Sequence, residues 1–459
     1  MSNSPARQNL GTDSIKRLML QLAVPAVLGQ VVNLLYNIVD RIYIGHIPII
    51  GADALTGVGL FNPILMLLTA FAVLLGSGGA PLAAISMGQQ NPQKAEKIMG
   101  NCFTMLLILS AGLTAVLLWF CPDLLRLFGA SEDTLPYALA YGRIYIAGSI
   151  LVLTVMGMNP FITTQGFAKF SMLTTVIGAV CNIVLDPIFI FVLDLGVAGA
   201  ALATVISQAI SAIWILRFLT GKRTILKLQF SNMALERKII LPCMSLGVST
   251  FVMMSTESLL SVSFTSSLSR YGGDLAVGAM TILTSLNQLI FMPMAGICQG
   301  GQPIISYNFG ANQPKRVREA FFTQLVVCVS YTTTFWLAIL FAPRFFTNIF
   351  TSDPQLAQYA AWAVRIFLAC GFSMGLQNCC QQSFMALGQA KVSLLLACLR
   401  KLVLLIPLIF ILPNFFTNKV FAVFLAEPIS DATAAAITTA VFLCRFGKIL
   451  KQGPNKNKS

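Results

Sequence analysis

The sequence predicts an all-α polytopic membrane protein, with twelve transmembrane helices arranged as two six-helix lobes related by a pseudo-two-fold axis. Three observations lead to this fold class. Of the 459 residues, 56% are hydrophobic and 10% are charged, and the mean hydropathy is +0.80, well above the range of soluble domains. Apolar runs of 20 or more residues recur along the chain. The second half also repeats the pattern of the first.

Each of the apolar runs is long enough to cross about 30 Å of hydrocarbon at a helical rise of about 1.5 Å per residue. In chain order the twelve predicted spans are 17–44, 52–80, 98–120, 137–160, 170–193, 195–219, 239–267, 275–299, 318–342, 358–386, 392–413 and 418–444. The first run is about twice as long as the apolar part of a signal peptide, and no small-residue cleavage site follows it. We therefore expect it to stay in the mature protein.

The placement of the basic residues predicts the orientation. With the N-terminus in the cytoplasm, 21 of the 30 Lys and Arg residues fall in cytoplasmic segments, so both termini are expected there. This placement explains the net charge of +14 without a nucleic-acid partner. The eleven cysteines form no CxxC pair and mostly lie within spans, which is typical of reduced packing residues.

The chain repeats itself at an offset of 222 residues. The stretch GGAPLAAISMGQQNPQK at 78–94 falls on GGQPIISYNFGANQPKR at 300–316, and GFAKFS at 166–171 falls on GQAKVS at 388–393. Separate matches in one register indicate duplication. Each copy holds six spans, an even number, so both copies cross the membrane in the same sense.

A parallel repeat of this kind is typical of two-lobed transporters, which bind substrate in the cleft between the lobes. We predict an N-lobe at 1–220, a cytoplasmic interlobe linker at 221–238 and a C-lobe at 239–459. A channel or a scaffold built from duplicated bundles is the alternative to a transporter.

Five acidic residues lie inside the predicted spans: Asp40, Asp186, Glu257, Glu427 and Asp431. A carboxylate near the bilayer centre costs about 2.5–3.5 kcal/mol on insertion scales, so each of them needs a partner, a proton or a water-filled cavity. These residues are therefore candidates for function.

Asp40, Asp186 and Thr204 lie at one depth, since each is about eight residues, or about 12 Å, from the outer end of its span. Asn182 lies one turn deeper than Asp186 on the same helix face. Two carboxylates about 4 Å apart repel each other by about 4 kcal/mol at an effective dielectric near 20, which favours one positive charge between them. The four side chains supply hard oxygen ligands for Na⁺, or carboxylates for a shared proton. The alternative for Asp40 is a snorkelling side chain or a pair with Arg41.

Two prolines are candidates for bending helices at this site. Pro187 cannot donate to the carbonyl of residue 183 and so weakens the helix beside Asp186. We expect Pro25 to bend the first span likewise. Three further polar residues of that span are candidates for lining a substrate cavity or for bridging helices: Asn33, Tyr36 and Asn37.

The second lobe differs from the first at the same position. Ile406-Pro407 stands where the first lobe has Asp186-Pro187, so the carboxylate is absent there. The acids of the second lobe are Glu257, Glu427 and Asp431 instead. They predict either a second cationic site, for drug or ion, or hydrogen-bonded contacts between helices.

Several stretches carry a resemblance to a known family. They are VPAVLGQVVNLLYNIVDRIYIGH in the first span, CNIVLDPIFIF in the fifth, GVAGAALATVISQ in the sixth and SYNFGANQPKRV after the eighth. Together they resemble the MATE (multidrug and toxic compound extrusion) family, in its MepA-like branch. The resemblance implies a two-lobed bundle that alternates between outward and inward openings and exports organic, often cationic, compounds in exchange for Na⁺ or H⁺.

The resemblance also implies roles for particular residues. The coupling site of family members matches Asp40, Asn182, Asp186 and Thr204, and Pro25 matches a proline whose bend is proposed to follow protonation. Glu257 matches an acid of the C-lobe site in other branches. The aspartate that accompanies it there has no counterpart in MGLQNCCQQSF of the tenth span, which favours coupling through the N-lobe.

A lipid or lipid-linked oligosaccharide flippase of the same superfamily is the main alternative function. Such proteins usually line the cleft with basic residues. Here five acids lie inside the spans, whereas only four basic residues lie in the spans or at their ends, and these are Arg143, Arg365, Arg400 and Lys401. An enzyme is not expected, since HExxH, GxSxG and P-loop motifs are absent and the chain has one histidine. We expect a monomer in a bacterial inner membrane, with no cofactor apart from the coupling ion.

Overall fold

Helices form the regular structure of the residues that the computed structural model describes, which are 9–48, 50–351 and 353–454. In chain order they are α1 (Ile15–Gly45), α2 (Gly51–Leu60), α3 (Asn62–Gly88), α4 (Pro92–Leu127), α5 (Leu135–Ala147), α6 (Ser149–Thr164), α7 (Ala168–Pro187), α8 (Gly196–Leu219), α9 (Arg237–Gly310), α10 (Pro314–Phe341), α11 (Pro343–Asn348), α12 (Pro354–Phe367), α13 (Ser373–Ala386), α14 (Ala390–Cys398), α15 (Ile406–Ile411) and α16 (Lys419–Gln452). Two π-helices, Ile188–Val192 and Leu399–Leu405, and two 3-10 turns, Phe230–Asn232 and Leu412–Asn414, complete the set.

The predicted all-helical membrane fold is confirmed, and every predicted span falls on one or more of these helices. Within the described residues, nine helical segments are long and apolar enough to cross a membrane. A tenth span is formed by α5 and α6, which meet at 55°. The predicted span 358–386 falls on the shorter helices α12 and α13.

Two predicted spans lie within α9. This helix has 74 residues, which corresponds to about 110 Å of helix and exceeds the hydrocarbon thickness more than threefold. Gly273 interrupts it with φ 62° and ψ −160°, a conformation that glycine reaches without a Cβ clash. The interruption falls between the predicted spans 239–267 and 275–299, so α9 provides both.

Several helices begin at residues suited to capping. Asn91 precedes α4 and accepts a hydrogen bond from the backbone N–H of Lys94 at 3.0 Å, and Pro92 occupies the first helical position. Asn418 caps α16 in the same way through the N–H of Phe421 at 3.0 Å. These starts coincide with the short polar loops between apolar runs.

The chain divides into two compact units. The first unit contains Leu28–Gly247, and the second contains Gly11–Val27 together with the chain from Val248 onward. The division falls inside two long helices, because the early turns of α1 belong to the second unit and the early turns of α9 belong to the first.

Glycines allow these early turns to pack closely. In the first unit a Cβ on Gly78 of α3 would lie 2.0 Å from the carbonyl oxygen of Cys243 in α9. In the second unit a Cβ on Gly300 would lie 2.5 Å from the Cα of Ala23 in α1. Gly78 and Gly300 are matched by the sequence repeat, so the same backbone contact is built once in each unit.

The segment that follows α8 is fixed to the rest of the first unit by buried and half-buried hydrogen bonds. Gln165 Oε1, at the end of α6, accepts from the backbone N–H groups of Ile225 at 2.7 Å and Leu226 at 2.9 Å. Asn101 Oδ1 of α4 accepts from the N–H of Glu236 at 2.7 Å. The predicted linker region is therefore anchored along its length to α4 and α6.

Candidate functional site

Asp186 lies where α7 changes its hydrogen-bond pattern. Asp186 and Pro187 are the last two residues of α7, and the π-helix Ile188–Val192 follows directly. Because Pro187 has no N–H, the regular ladder loses one bond here, and wider π turns are typical of such interruptions at functional positions. Asp186 is completely buried, at 0% exposure.

Asn182 joins Asp186 to α8. Its Nδ2 donates to Asp186 Oδ1 at 3.1 Å and lies 3.3 Å from Thr204 Oγ1 on α8, which accepts. The hydroxyl of Thr204 is itself donated to the carbonyl oxygen of Ala200 at 3.0 Å. The structure therefore brings together the predicted amide, hydroxyl and carboxyl groups of two helices.

Asp40 of α1 completes this group. Its carboxyl group lies beside the carboxyl group of Asp186, close enough for the two groups to interact. Among the described residues no salt bridge joins Asp40 to Arg41, the sequence alternative. We call Asp40, Asn182, Asp186 and Thr204 the first-unit cluster.

Three oxygens of the first-unit cluster are buried and have no hydrogen-bond partner within the described chain: Asp40 Oδ1, Asn182 Oδ1 and Asp186 Oδ2. Unsatisfied buried oxygens of this kind are costly, and they point to a ligand that the protein itself does not supply. Two carboxyl groups in contact require a proton or a cation between them. Chemically, the cluster can hold one proton or one small hard cation.

Aromatic side chains cover the first-unit cluster, and the sequence reasoning named only Tyr36 among them. Tyr141 of α5 is buried, and its side chain lies next to that of Thr204. Tyr145 stacks against Tyr141 at 5.9 Å, and the Phe61 ring lies 5.6 Å from Tyr141. The four-residue spacing of the two tyrosines, which places them on one helix face, is the signal that predicts this cover.

The other polar candidates of α1 are placed differently. Tyr36 lies near both Asp40 and Asp186. Asn37 is exposed, and its Nδ2 donates to the carbonyl oxygen of Asn33 at 2.6 Å within α1 itself. Asn33 is half-buried. The structure thus brings Tyr36 to the cluster and leaves the two asparagines outside it.

Pro25 lies within α1, which is helical from Ile15 to Gly45. The division between the two units falls between Val27 and Leu28, less than one turn away. A proline at this place removes a backbone hydrogen bond where the helix passes from one unit to the other.

The acids of the second unit lie against two basic residues of the π-helix Leu399–Leu405. Arg400 donates to Asp431 Oδ1 through Nη2 at 2.7 Å and through Nε at 2.8 Å. Its Nη2 also lies 3.4 Å from Glu427 Oε1. The side chains of Asp431 and Glu427 are 5% and 8% exposed, so this is a buried network.

Lys401 pairs with the third acid. Its Nζ forms an ion pair with Glu257 Oε1 of α9 and donates to the carbonyl oxygen of Met253 at 2.9 Å. We call Glu257, Arg400, Lys401, Glu427 and Asp431 the second-unit cluster. Sequence reasoning identified its acids but not their basic partners, although two adjacent basic residues inside an apolar span were the signal for such partners.

A transition-metal site usually requires several His, Cys, Asp or Glu side chains at one place. Over the described ranges, no group of three or more His, Cys, Asp and Glu residues is arranged to hold a metal ion. The first-unit cluster has only two such residues and completes its oxygen set with an amide and a hydroxyl. That composition suits a proton or a monovalent hard cation better than a soft metal.

Comparison with known proteins places this architecture in a family. A sequence model of the MatE family matches residues 25–188 and again 249–411. The chain belongs to the MatE family. The model matches once in each half of this MatE chain, in agreement with the repeat read from the sequence.

This MatE chain is similar to several multidrug export proteins named MepA. It is 25% identical over 421 residues to MepA of Staphylococcus haemolyticus strain JCSC1435, with 91% of each chain covered. It is 23% identical over 439 residues to MepA of Staphylococcus aureus strain NCTC 8325, with 94% of each covered.

Solved structures show the same fold. A crystal structure of a MATE protein in complex with MaD3S has a TM-score of 0.90 and 24% identity, covering 98% of this chain and 100% of that chain. The outward-facing conformation of a multidrug resistance MATE family transporter of the MOP superfamily has a TM-score of 0.89 at 24% identity, with the same coverage. The MatE chain therefore has the MATE fold.

Proposed function

We propose that this MatE chain is a multidrug efflux antiporter that exports organic, often cationic and lipophilic, compounds in exchange for Na⁺ or H⁺ by alternating access. The observation that carries the proposal is the contact between the carboxyl groups of Asp40 and Asp186, with buried oxygens around it that lack partners. The similarity of the chain to the MepA exporters supports the choice of substrate class.

The first-unit cluster is proposed to bind the coupling ion. A proton or Na⁺ between Asp40 and Asp186 removes a repulsion of about 4 kcal/mol, taken at 4 Å and an effective dielectric near 20. Asn182 and Thr204 supply the remaining oxygens for Na⁺. Loss of the ion restores the repulsion, which pushes α1 away from α7.

This displacement is expected to bend α1 near Pro25. The early turns of α1, up to Val27, pack in the second unit, whereas Leu28–Gly45 belongs to the first. A force on Asp40 therefore acts on the later turns of α1, whereas its early turns belong to the second unit. Pro25 lacks a backbone N–H, so the helix has one hydrogen bond fewer there and bends most easily. Pro187 weakens α7 next to Asp186 in the same way.

The energy available is sufficient for export of a neutral compound. One charge that enters down 100 mV supplies about 2.3 kcal/mol, which sustains a gradient near 50-fold. Export of a monovalent cation cancels this electrical contribution, so a chemical ion gradient or a second ion is then required.

We further infer that the lobes 1–220 and 239–459 are joined by the linker 221–238, with both termini in the cytoplasm of a bacterium and a monomer as the working form. A phosphatase that is active only in the periplasm, fused to the C-terminus, should stay inactive. An active fusion would reverse the orientation.

Export of a fluorescent lipophilic cation such as ethidium from proteoliposomes tests the function. A sodium gradient alone and a proton gradient alone are compared, and we expect one of them to drive export. Asp40→Asn and Asp186→Asn should each abolish the driven export. Asp194→Asn, an exposed aspartate beyond the end of α7, serves as the matched control. Export at wild-type rates in both buried variants would refute the first-unit cluster as the coupling site.

The flippase alternative requires basic side chains that are free to meet a pyrophosphate. In the second unit Arg400 and Lys401 are instead paired with Asp431, Glu427 and Glu257. This pairing favours export of organic compounds over lipid-linked substrates.

A further inference from the structure

Lys401 is a buried lysine that contacts the kind of oxygens that bind a small cation. Its side chain is 7% exposed, whereas that of its partner Glu257 is 57% exposed. The ammonium group pairs with the Glu257 carboxylate and donates to the carbonyl oxygen of Met253. Carboxylate and carbonyl oxygens are also the ligands that hard metal cations take in proteins.

Arg400 is the positively charged partner of the other two acids. Its guanidinium donates to Asp431 through two nitrogens and reaches Glu427 with one of them. The Ser430 hydroxyl donates to the Arg400 carbonyl oxygen at 2.9 Å, which fixes this π-helical turn against α16. Successive residues of the π-helix therefore direct their positive charges to two different helices, α16 and α9.

The two clusters differ in whether they contain basic side chains. The first-unit cluster contains two carboxyl groups and no basic side chain. The second-unit cluster contains three carboxyl groups and two basic side chains, and every carboxyl group has a basic partner within 4 Å. A tethered cation keeps a constant local concentration at its partner, whereas a free ion must be drawn from solution, so the tethered group has the advantage.

We propose that Lys401, with Arg400 beside it, is a resident counter-cation that closes the second unit to the coupling ion. The first-unit cluster is then the one exchangeable ion site of the described chain. The inference rests on the proposed function only in assigning coupling to the first unit. It predicts that removal of the Lys401 ammonium allows a monovalent cation to bind the Glu257 carboxylate and the Met253 carbonyl oxygen, which keeps a hydrogen bond from the Thr256 hydroxyl at 3.1 Å.

Equilibrium binding of radioactive sodium to the purified full-length protein in nanodiscs tests this. All variants carry Asp186→Asn, which removes the proposed first site. Added Lys401→Ala should bind several-fold more sodium than Asp186→Asn alone at a subsaturating concentration, because the Glu257 carboxylate and the Met253 carbonyl oxygen are hard oxygen ligands that then lack the ammonium group. Lys401→Arg, which keeps the charge, and Lys391→Ala, an exposed lysine at the start of α14, should show no gain.

The gained binding should disappear when Glu257→Gln is added, which assigns the site. Lys401→Met preserves more of the side-chain volume and replaces the alanine variant if that protein does not fold. The proposal is overturned if folded Lys401 variants gain no sodium, or if Asp186→Asn alone keeps saturable binding that Glu257→Gln removes. Coupling by protons would leave wild type and Asp186→Asn equal in sodium binding, yet the gain on removing Lys401 would persist. Failure of the proposed function and failure of this inference are therefore distinguishable.

Discussion

The two units handle buried acids in opposite ways. In the first-unit cluster, the carboxyl groups of Asp40 and Asp186 lie side by side, next to an amide, a hydroxyl and tyrosines. Arg41 acts on Asp40 electrostatically, but among the described residues the two form no ion pair within 4 Å. In the second-unit cluster, each carboxylate meets an arginine or a lysine from the π-helix Leu399–Leu405. The first arrangement requires a positive charge from outside, and the second contains its own.

This difference shows that the presence of acids within a span does not by itself identify an ion site. A buried carboxylate can be stabilised by a tethered or by a mobile cation, but only the mobile one can carry energy across the membrane. The feature that separates the two clusters is the basic pair Arg400-Lys401. The first unit has no basic residue at the corresponding place, which is Gly178-Ala179 at the offset of 222, or Val180-Cys181 when Pro407 is aligned with Pro187.

The largest expected effect is on stability in the second unit. Arg400→Met leaves Asp431 and Glu427 buried without their main partner, and loss of one member of a buried ion pair costs about 3–5 kcal/mol. We expect a large fall in the thermal unfolding midpoint of the purified protein. Arg318→Met, an exposed arginine of α10, is the control and should change stability by less than about 1 kcal/mol. Equal midpoints for the two variants would show that the network is not a stabilising one.

Replacement of an aspartate by asparagine should change stability in opposite directions in the two clusters. Asp431→Asn leaves Arg400 short of an anion and should destabilise the protein by about 3 kcal/mol. Asp186→Asn removes one of two like groups and should raise the unfolding midpoint slightly at neutral pH, because it relieves repulsion. Unfolding of both variants, measured in the same detergent without added sodium, checks the signs. A loss of stability in Asp186→Asn would mean that the first-unit cluster carries its own counter-charge.

Asn182 tests whether the first-unit cluster works as one site. Asn182→Ala removes the donor that lies between Asp186 and Thr204, and a hydrogen bond to a charged group contributes about 1.5–3 kcal/mol. If sodium is the coupling ion, we expect its half-saturating concentration in proteoliposome export to rise about tenfold or more, because the amide oxygen is lost as a ligand as well. If it is a proton, the half-saturating proton concentration should fall instead, because the amide N–H stabilises the ionised carboxylate. Asn414→Ala, an exposed asparagine bonded only to the Phe410 carbonyl among the described residues, is the control. An unchanged ion dependence in Asn182→Ala would separate Asn182 from ion binding.

Much of the first-unit cluster was predictable from the sequence. The rise per residue is fixed in a helix, so equal distances from the span ends place Asp40, Asp186 and Thr204 at one depth. The four-residue spacing placed Asn182 on the same face as Asp186. These two rules were enough because α1, α7 and α8 are regular up to the residues concerned.

The second-unit cluster was not predictable in the same way. A π-helix begins at Leu399, and its wider turns change the direction of the following side chains, so a regular helical wheel does not show that Arg400 faces α16 and Lys401 faces α9. Nor does hydrophobic periodicity reveal which unit the early turns of α1 join. That choice depends on the close approach of Gly300 to Ala23, a contact between residues far apart in the sequence.

Substitutions that disturb helix packing, unlike those that change charge, should lower stability similarly in the two units. Gly78→Ala and Gly300→Ala each place a methyl group within 2.5 Å of a neighbouring helix backbone, and overpacking of this kind costs about 1–3 kcal/mol. We expect similar falls in the unfolding midpoint. Gly112→Ala in α4 meets nothing within 4 Å and should be neutral or slightly stabilising, which makes it the control. Tolerance of one change and not the other would show that the repeated contact is not equivalent in the two units.

The smallest expected effect concerns the tyrosines beside the first-unit cluster. Tyr141→Phe removes a buried hydroxyl beside Thr204, and a neutral hydrogen bond contributes about 1 kcal/mol, or about fivefold in affinity. Tyr145→Phe, on the next turn and stacked on Tyr141, keeps the ring contacts and should leave ion affinity unchanged. The ion dependence of export measures both. A fivefold change in Tyr141→Phe alone would mean that the hydroxyl holds Thr204 in position to accept from Asn182. Equal changes in both variants would instead assign the effect to the aromatic cover as a whole, and then exclusion of water, rather than positioning of an oxygen, would distinguish the first-unit cluster from the second.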